Sequence, residues 1–182
     1  MPRGRLVILS GPSGVGKDTV IEAWRNRNHR IQRVVAYTTR APREGEVDGD
    51  DYHFVSVPEF EFMAKHGAFL EHKLVHGNYY ATPIKGMDDI LDAGNIAILK
   101  IDVQGALAAM PLRPDAITVM LVPPSWEELE RRIRKRGTED EEDIQRRLAN
   151  AQAELAVADR YQHQIVNDGV DRTVDQLESL VR

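Results

Sequence analysis

Hydrophobic positions along the chain fall into short apolar runs that alternate with longer segments of helical period. Leu6–Val7–Ile8–Leu9 is apolar, of strand length, and stops at Ser10–Gly11, so it reads as a buried strand rather than a helix. A helical pattern follows from Thr19 to about Arg27, and Ile31 to Thr38, rich in β-branched residues, reads as a second strand. Ser56-x-x-Glu59 is a capping box that opens a helix to about His66. Phe69–Val75 and the Tyr79–Tyr80 region read as strands around the turn residues Gly77–Asn78. Ile84 to Ala93 reads as a helix closed by Gly94. Asn95–Asp102 and Ala116–Val122 are two more buried strands. Ser125-x-x-Glu128 and Thr138-x-x-Glu141 start two helices, the second running to about Ala158. His163–Val166 is a last short strand and Asp171–Val181 a last helix.

Buried strands alternating with helices imply an α/β fold, a parallel sheet with crossover helices. The strand-rich stretch from about Thr39 to Lys85 breaks that rhythm and reads as an inserted subdomain. No repeat, low-complexity segment or Pro/Gly-rich linker divides the chain, and its 182 residues fit one domain.

Composition narrows the chemistry. The formal charge is −5, which argues against a duplex-DNA binder with a basic face. Arg outnumbers Lys 18 to 6, and guanidinium groups suit bidentate contacts with phosphate and carboxylate, so small anionic ligands are expected. Without Cys there is no disulfide framework, thiolate zinc site or cysteine nucleophile. The apolar runs are too short to span a bilayer, and Met1–Arg5 offers no signal-peptide core. A cytoplasmic protein without membrane or nucleic-acid partners is expected.

Gly11-Pro12-Ser13-Gly14-Val15-Gly16-Lys17 fits the pattern G-x-x-x-x-G-K between a strand and a helix. There, backbone N–H groups and the helix N-terminus can surround a phosphate, and Lys17 can reach the β- and γ-phosphates. The alternative, a ligand-free glycine turn, does not explain why strand, loop, Lys and helix occur in this order. The next residue is Asp18, where a Ser or Thr would hold Mg²⁺ through its hydroxyl. Its carboxylate can meet Mg²⁺ directly or through water, or can simply cap the helix. Thr19 supplies a hydroxyl within reach of the α-phosphate.

A second anion site is legible in Thr38–Phe54. Arg40 and Arg43, with Pro42 stiffening the loop between them, can converge on one phosphate. Tyr52 adds a hydroxyl, and Glu46 can orient an arginine by a bidentate pair. Further on, Glu71 follows Phe69–Leu70 on a strand, with Tyr80 and Thr82 close in sequence. A carboxylate can accept from both N1–H and the N2 amino group of guanine, which adenine cannot match. Taken alone, Glu71 reads more readily as a surface acid.

Together these residues resemble the guanylate kinase family over nearly the whole chain: the GPSGVGK loop, TTRAPREGEVDGDDYHF, FLE, GNYYATP, IDVQGA, RGTEDEEDIQRRL and VND. The resemblance implies a P-loop NTPase core with a parallel sheet flanked by helices (about 1–38, 86–136 and 160–182), a small mixed α/β GMP-binding insertion (about 39–85) and a helical lid (about 137–159). It implies ATP and GMP as substrates and Mg²⁺ as cofactor with ATP. By position, Arg40, Arg43, Tyr52 and Tyr80 would hold the GMP phosphate. Glu71 would read guanine with Thr82 and Asp102, and Glu46 would order the arginines. Arg132, Arg136 and Arg147 would come onto the triphosphate, although salt bridges to Glu128 or Glu139 are their plainer use. Asn167 matches an adenine-side asparagine. Four positions depart from the family pattern: Asp18, Ala36 where a hydroxyl commonly meets guanine O6, Lys100 where an acid is common, and Ala81 for Gly. Tyr37 or Thr38 could replace the lost O6 donor. Asp18 also resembles the GKD loop of ribose 1,5-bisphosphate phosphokinases, and a non-catalytic guanylate-kinase-like binding module is the reading from a different class. Monomer and homodimer both fit the sequence.

Overall fold

The computed structural model describes residues 2–135, 137 and 139–182. The strands are β1 (Leu6–Ser10), β2 (Ile31–Arg33), β3 (Tyr37–Thr38), β4 (His53–Phe54), β5 (Phe69–Val75), β6 (Asn78–Pro83), β7 (Ile96–Lys100), β8 (Ile117–Val122) and β9 (His163–Val166). The helices are α1 (Lys17–Arg27), α2 (Val57–Lys65), α3 (Ile84–Asp92), α4 (Val103–Ala109), α5 (Trp126–Lys135), α6 (Glu141–Leu155) and α7 (Val170–Val181).

Five strands form a parallel sheet in the order β2-β7-β1-β8-β9. β1 lies in the middle with all five of its residues buried, as expected of a parallel strand covered on both faces. Its side chains alternate between the two faces. Val7 and Leu9 join Trp24 of α1 and Leu177 of α7, while Leu6 and Ile8 join Met87 of α3 and Ala106 of α4. A smaller four-stranded sheet, β4-β3-β6-β5, is mixed: β3 pairs with β4 in parallel and with β6 antiparallel, and β5 pairs with β6 antiparallel. Its own apolar cluster centres on Phe60, Phe69 and Ala81. Helices α5 and α6 share a third cluster of Leu129, Ile133, Ile144, Leu148 and Ala151.

Helix starts follow capping chemistry. Ser56 Oγ accepts from Glu59 N at 3.2 Å and Ser125 Oγ from Glu128 N at 3.1 Å, each leaving one fewer orphan donor in the first turn. Thr138 lies outside the described residues, and the cap seen on α6 is Asp140, whose Oδ1 accepts from Asp143 N at 2.9 Å.

Two expectations change. The run Ile31–Thr38 is not one strand: β2 pairs with β7, Val34 N still donates to Ile98 O at 2.9 Å, and the chain then leaves the core sheet for β3 beside β6. β-Branched residues make the whole run extended, but the partner of each end is decided by tertiary pairing. Helix α4 was not expected, because Val-Gln-Gly-Ala-Leu-Ala-Ala offers small residues instead of a periodic apolar stripe. Its one local signal is Asp102, the N-cap, whose Oδ1 accepts from Gly105 N at 2.9 Å.

Trp24 is fully buried between α1 and α7 and donates from Nε1 to Glu178 Oε2 at 2.7 Å. Trp24→Ala should lower unfolding stability in urea by about 3–5 kcal/mol, through a cavity and the loss of one hydrogen bond to Glu178.

Candidate active site

The parallel strands end at one edge of the core sheet, where ligands bind in open α/β folds. The loop after β1 wraps there. Val15 N donates to Pro12 O at 3.1 Å. Gly14 and Gly16 have φ of +86° and +96°, the left-handed region that glycine alone enters without strain. A Cβ on Gly16 would stand 2.9 Å from Asn167 Nδ2. The Lys17 ammonium turns back onto the Gly11 carbonyl, and burial pushes its pKa down, a shift partly opposed by Glu154. A cleft of about 500 Å³ opens over the loop, bordered by Lys17, Asp18, Thr19, Asp102, Arg132 and Glu154 among others.

Asn167 does not face that cleft. It is buried, its Nδ2 donates to Val15 O at 2.7 Å, and its Oδ1 accepts from Thr173 Oγ1 at 2.9 Å. In the structure it braces the loop from behind. Asp18 Oδ1 accepts from Lys100 Nζ at 2.6 Å, yet the Asp18 side chain remains 77% exposed. Burial raises the Asp18 pKa, but Lys100 outweighs this and leaves the carboxyl below its ordinary value. Among the described residues no three His, Cys, Asp or Glu side chains converge as a metal cage. One exposed carboxylate beside a phosphate loop nonetheless fits Mg²⁺, which takes one or two carboxylates together with nucleotide phosphates and water.

Of the three arginines expected on the triphosphate, the two that are described, Arg132 and Arg147, rest against the loop while ion-paired. Arg132 Nε donates to Glu128 Oε1 at 3.0 Å and its Nη1 to Val15 O at 3.4 Å. Arg147 Nη1 donates to Glu139 Oε1 at 2.9 Å and its Nη2 to Ser13 Oγ at 2.6 Å. Salt bridge and loop contact thus coexist. Arg136 lies outside the described residues.

Across from the loop, Arg40 forms a bidentate pair with Glu46, Nη1 to Oε1 at 2.7 Å and Nη2 to Oε2 at 2.9 Å. Glu46 Oε1 also accepts from Arg43 N at 2.7 Å. Arg40 and the Arg43 backbone together hold the Glu46 carboxyl at about 2. Its folded pKa is depressed, so the pair is complete above the ordinary carboxylate range and is lost only as pH falls toward 2. The Arg40 guanidinium also sits 5.3 Å from the centroid of the Tyr52 ring, and Tyr52 meets Tyr80 edge-on at 6.0 Å. A second cavity, of about 410 Å³, reaches from Arg40 and Arg43 to Asp18 and Lys100. Arg33, which the sequence reading passed over, holds the loop that follows by donating from Nη2 to Asp51 O at 3.0 Å.

A third pocket, of about 210 Å³, adjoins both and is walled by Ala36, Glu71, Lys73, Tyr80, Thr82 and Asp102 among others. Glu71 and Thr82 are cross-strand partners, and Thr82 Oγ1 donates to Glu71 Oε1 at 2.7 Å. Glu71 Oε2 is buried and has no hydrogen-bond partner among the described residues, and burial raises the pKa of the carboxyl. A Cβ on Gly105 would lie 3.0 Å from that oxygen, so glycine there keeps the pocket floor open. Neither suggested substitute for the hydroxyl lost at Ala36 lines this pocket. Thr38 Oγ1 donates to Tyr79 O at 2.9 Å and accepts from Arg40 N at 3.1 Å. Tyr37 packs among His53 and Phe69, with ring centroids 4.5 and 5.6 Å away. Lys73 was missed, although its period-two spacing from Glu71 on β5 was a usable signal.

Comparisons with known proteins point to one family. The family model described as guanylate kinase matches residues 3–182. A guanylate kinase of Gloeobacter violaceus is 48% identical over 180 residues, covering 99% of this chain and 88% of the relative. One of Clostridium tetani is 44% identical, covering 100% of this chain and 86% of the relative. Among solved structures, a guanylate kinase from Anaplasma phagocytophilum superposes with a TM-score of 0.78 at 34% identity, covering 100% of this chain and 86% of that one. The SH3-kinase fragment of tight junction protein 3, at 12% identity and TM-score 0.54, covering 100% of this chain and 58% of that one, shares the fold.

Gly16→Ala places a side chain at positive φ against a buried, bonded Asn167. Loop strain of about 1–3 kcal/mol should weaken ATP binding by roughly tenfold to a hundredfold, measured by calorimetry, with GMP binding little changed.

Proposed function

The chain belongs to the guanylate kinase family and transfers the γ-phosphoryl group of ATP to GMP, and from that premise we propose how its residues divide the work. ATP lies over the loop Gly11, Pro12, Ser13, Gly14, Val15, Gly16, with Lys17, Asp18 and Thr19 at its phosphates. GMP spans the other two cavities, its phosphate on Arg40, Arg43, Tyr52 and Tyr80, its base against Glu71, Thr82 and Asp102. The observation that supports this placement is the unpartnered, buried Glu71 Oε2. An acceptor left unpaired in a pocket is costly, and the N1–H and N2 amino group of guanine would satisfy it.

Phosphoryl transfer asks the protein mainly for in-line placement and for cancellation of charge. Arg40, fixed by Glu46, and Arg43 hold the acceptor phosphate so that its oxygen faces the loop. Lys17, Arg132 and Arg147 stand where charge develops on the transferred group, and Arg136 is assigned with them from its place in the sequence. Mg²⁺ bound with ATP would meet Asp18, directly or through water, and would supply further neutralisation of the phosphates. The acceptor phosphate is ionised near neutral pH, so its oxygen needs no strong general base. The small sheet acts as the GMP-binding insertion and residues 137–159 as a lid. Their closure excludes water that would otherwise hydrolyse ATP. Asn167 serves the ATP site by fixing the loop through Val15.

A coupled assay of ADP release tests this reading. GMP should be phosphorylated, AMP and ribose 1,5-bisphosphate should not, and equal turnover with AMP would refute the base assignment. Glu71→Gln should raise KM for GMP by about 10- to 100-fold, the value of charge-assisted hydrogen bonds, with KM for ATP nearly constant. Arg43→Ala should weaken GMP binding and slow turnover together; if both stay at wild-type values, the phosphate assignment is wrong.

A further inference from the structure

Guanine presents donors at N1 and N2 and acceptors at O6 and N7. With Glu71 on the donor side, the O6 carbonyl needs a hydrogen-bond donor from the same pocket wall. Of the hydroxyl groups nearby, Thr82 Oγ1 donates to Glu71 and Thr38 Oγ1 to Tyr79 O, while those of Tyr52 and Tyr80, which also line the pocket, are placed at the GMP phosphate. Position 36, an Ala, contributes only a methyl group to the wall. Two ammonium groups border the pocket. Lys100 is turned toward the phosphate loop, where it pairs with Asp18 at 2.6 Å.

Lys73 is the other. It follows Glu71 by two residues on β5 and pairs across the sheet with Tyr80, as Glu71 pairs with Thr82, so both side chains stand on the pocket face of the strand. The Lys73 side chain is 18% exposed, and its ammonium contacts Asp102 Oδ1, the atom that also caps α4. An ammonium has three N–H donors. One is engaged by Asp102, and the others border the cavity.

We propose that Lys73 Nζ is the donor that reads O6 of guanine, Asp102 holding it in place, so that a strand ammonium does here what a hydroxyl at position 36 would do. The proposal rests on the placement of guanine against Glu71. It has a consequence for specificity. Adenine carries an N6 amino group at the same position, and its hydrogens would face an ammonium that cannot accept them. Lys73 therefore selects for a 6-oxo purine and against a 6-amino purine. Lys73 also counters the mutual repulsion of the Glu71 and Asp102 carboxylates and favours the ionised form of Glu71.

The test is steady-state kinetics of Lys73→Met with two acceptors, GMP and 6-thioguanosine 5′-monophosphate, which keeps N1–H and the N2 amino group but carries a weakly accepting sulfur in place of O6. Lys73→Met should reduce kcat/KM for GMP by about 10- to 100-fold, almost entirely through KM for GMP. For the 6-thio nucleotide the same substitution should cost less than about threefold, because sulfur is a poor acceptor while the donors to Glu71 are kept. Ala36→Ser in the Lys73→Met background should recover part of the loss with GMP and none with the analogue. An equal loss with both acceptors would show that Lys73 acts only on its carboxylate neighbours and would overturn the proposal. So would no loss with GMP while Glu71→Gln still raises KM. If Glu71→Gln also has no effect, the base does not lie in this pocket and the placement itself fails. Thermal melting of each variant separates these results from a folding defect.

Discussion

Burial of β1 on both faces is the constraint from which the site follows. Every residue of the strand is inaccessible, with one helical layer under each set of alternate side chains. A strand held in this way delivers its C-terminal end to one place. The phosphate loop therefore begins at the middle of the sheet, between the ends of β7 and β8. Lys100 and Asp102 arrive from β7, and Asn167 arrives just past β9. The loop itself has little local reason to hold its shape, since its glycines are the residues that lose most entropy on ordering. Asn167 and the packing of Val15 at zero exposure supply that rigidity from the core side.

A second regularity concerns charge. Five cations that border the cavities are already paired with a carboxylate: Arg40 with Glu46, Arg132 with Glu128, Arg147 with Glu139, Lys100 with Asp18, and Lys73 with Asp102, whereas Lys17 turns onto the Gly11 carbonyl. Pairing does two things. It keeps a concentration of positive charge from repelling itself in the empty cleft, and it fixes long side chains near their working positions, which lowers the ordering cost of binding. Glu71 is the inverse case. It has one oxygen satisfied and one left open in a buried position, and with guanine placed against it as proposed it would discriminate by what it lacks.

Asp18 and Lys100 illustrate how two departures in sequence become one feature in space. Read singly, an acid after the loop lysine repels triphosphate, and a lysine near the base pocket alters the local field. At 2.6 Å they neutralise each other, and the cavity between the phosphate loop and Arg40 keeps a balanced lining.

Much of this was legible before any coordinates. Glycines and lysine at fixed spacing after an apolar run specify a phosphate loop, because few other uses require that order. Capping boxes placed the starts of α2 and α5, since the relevant hydrogen bonds join residues three apart. Arg40, Arg43 and Glu46 were legible as a cluster for the same reason of proximity along the chain. What local pattern left open was decided by contacts between distant segments. An extended run does not say which sheet each half will join, so Ile31–Thr38 divided between two. A helix of small residues such as α4 carries no periodic stripe. An asparagine does not reveal which of its neighbours will take its two polar groups, and Asn167 turned inward to the loop. Nor could sequence show that Thr38 and Tyr37 stand outside the Glu71 pocket while Lys73 faces Asp102. Thus the sequence by itself determined the fold class, the phosphate loop and the arginine pair, whose signals are local. Only the tertiary structure decided which side chains remain free to meet a ligand, because that depends on partners brought together from across the chain.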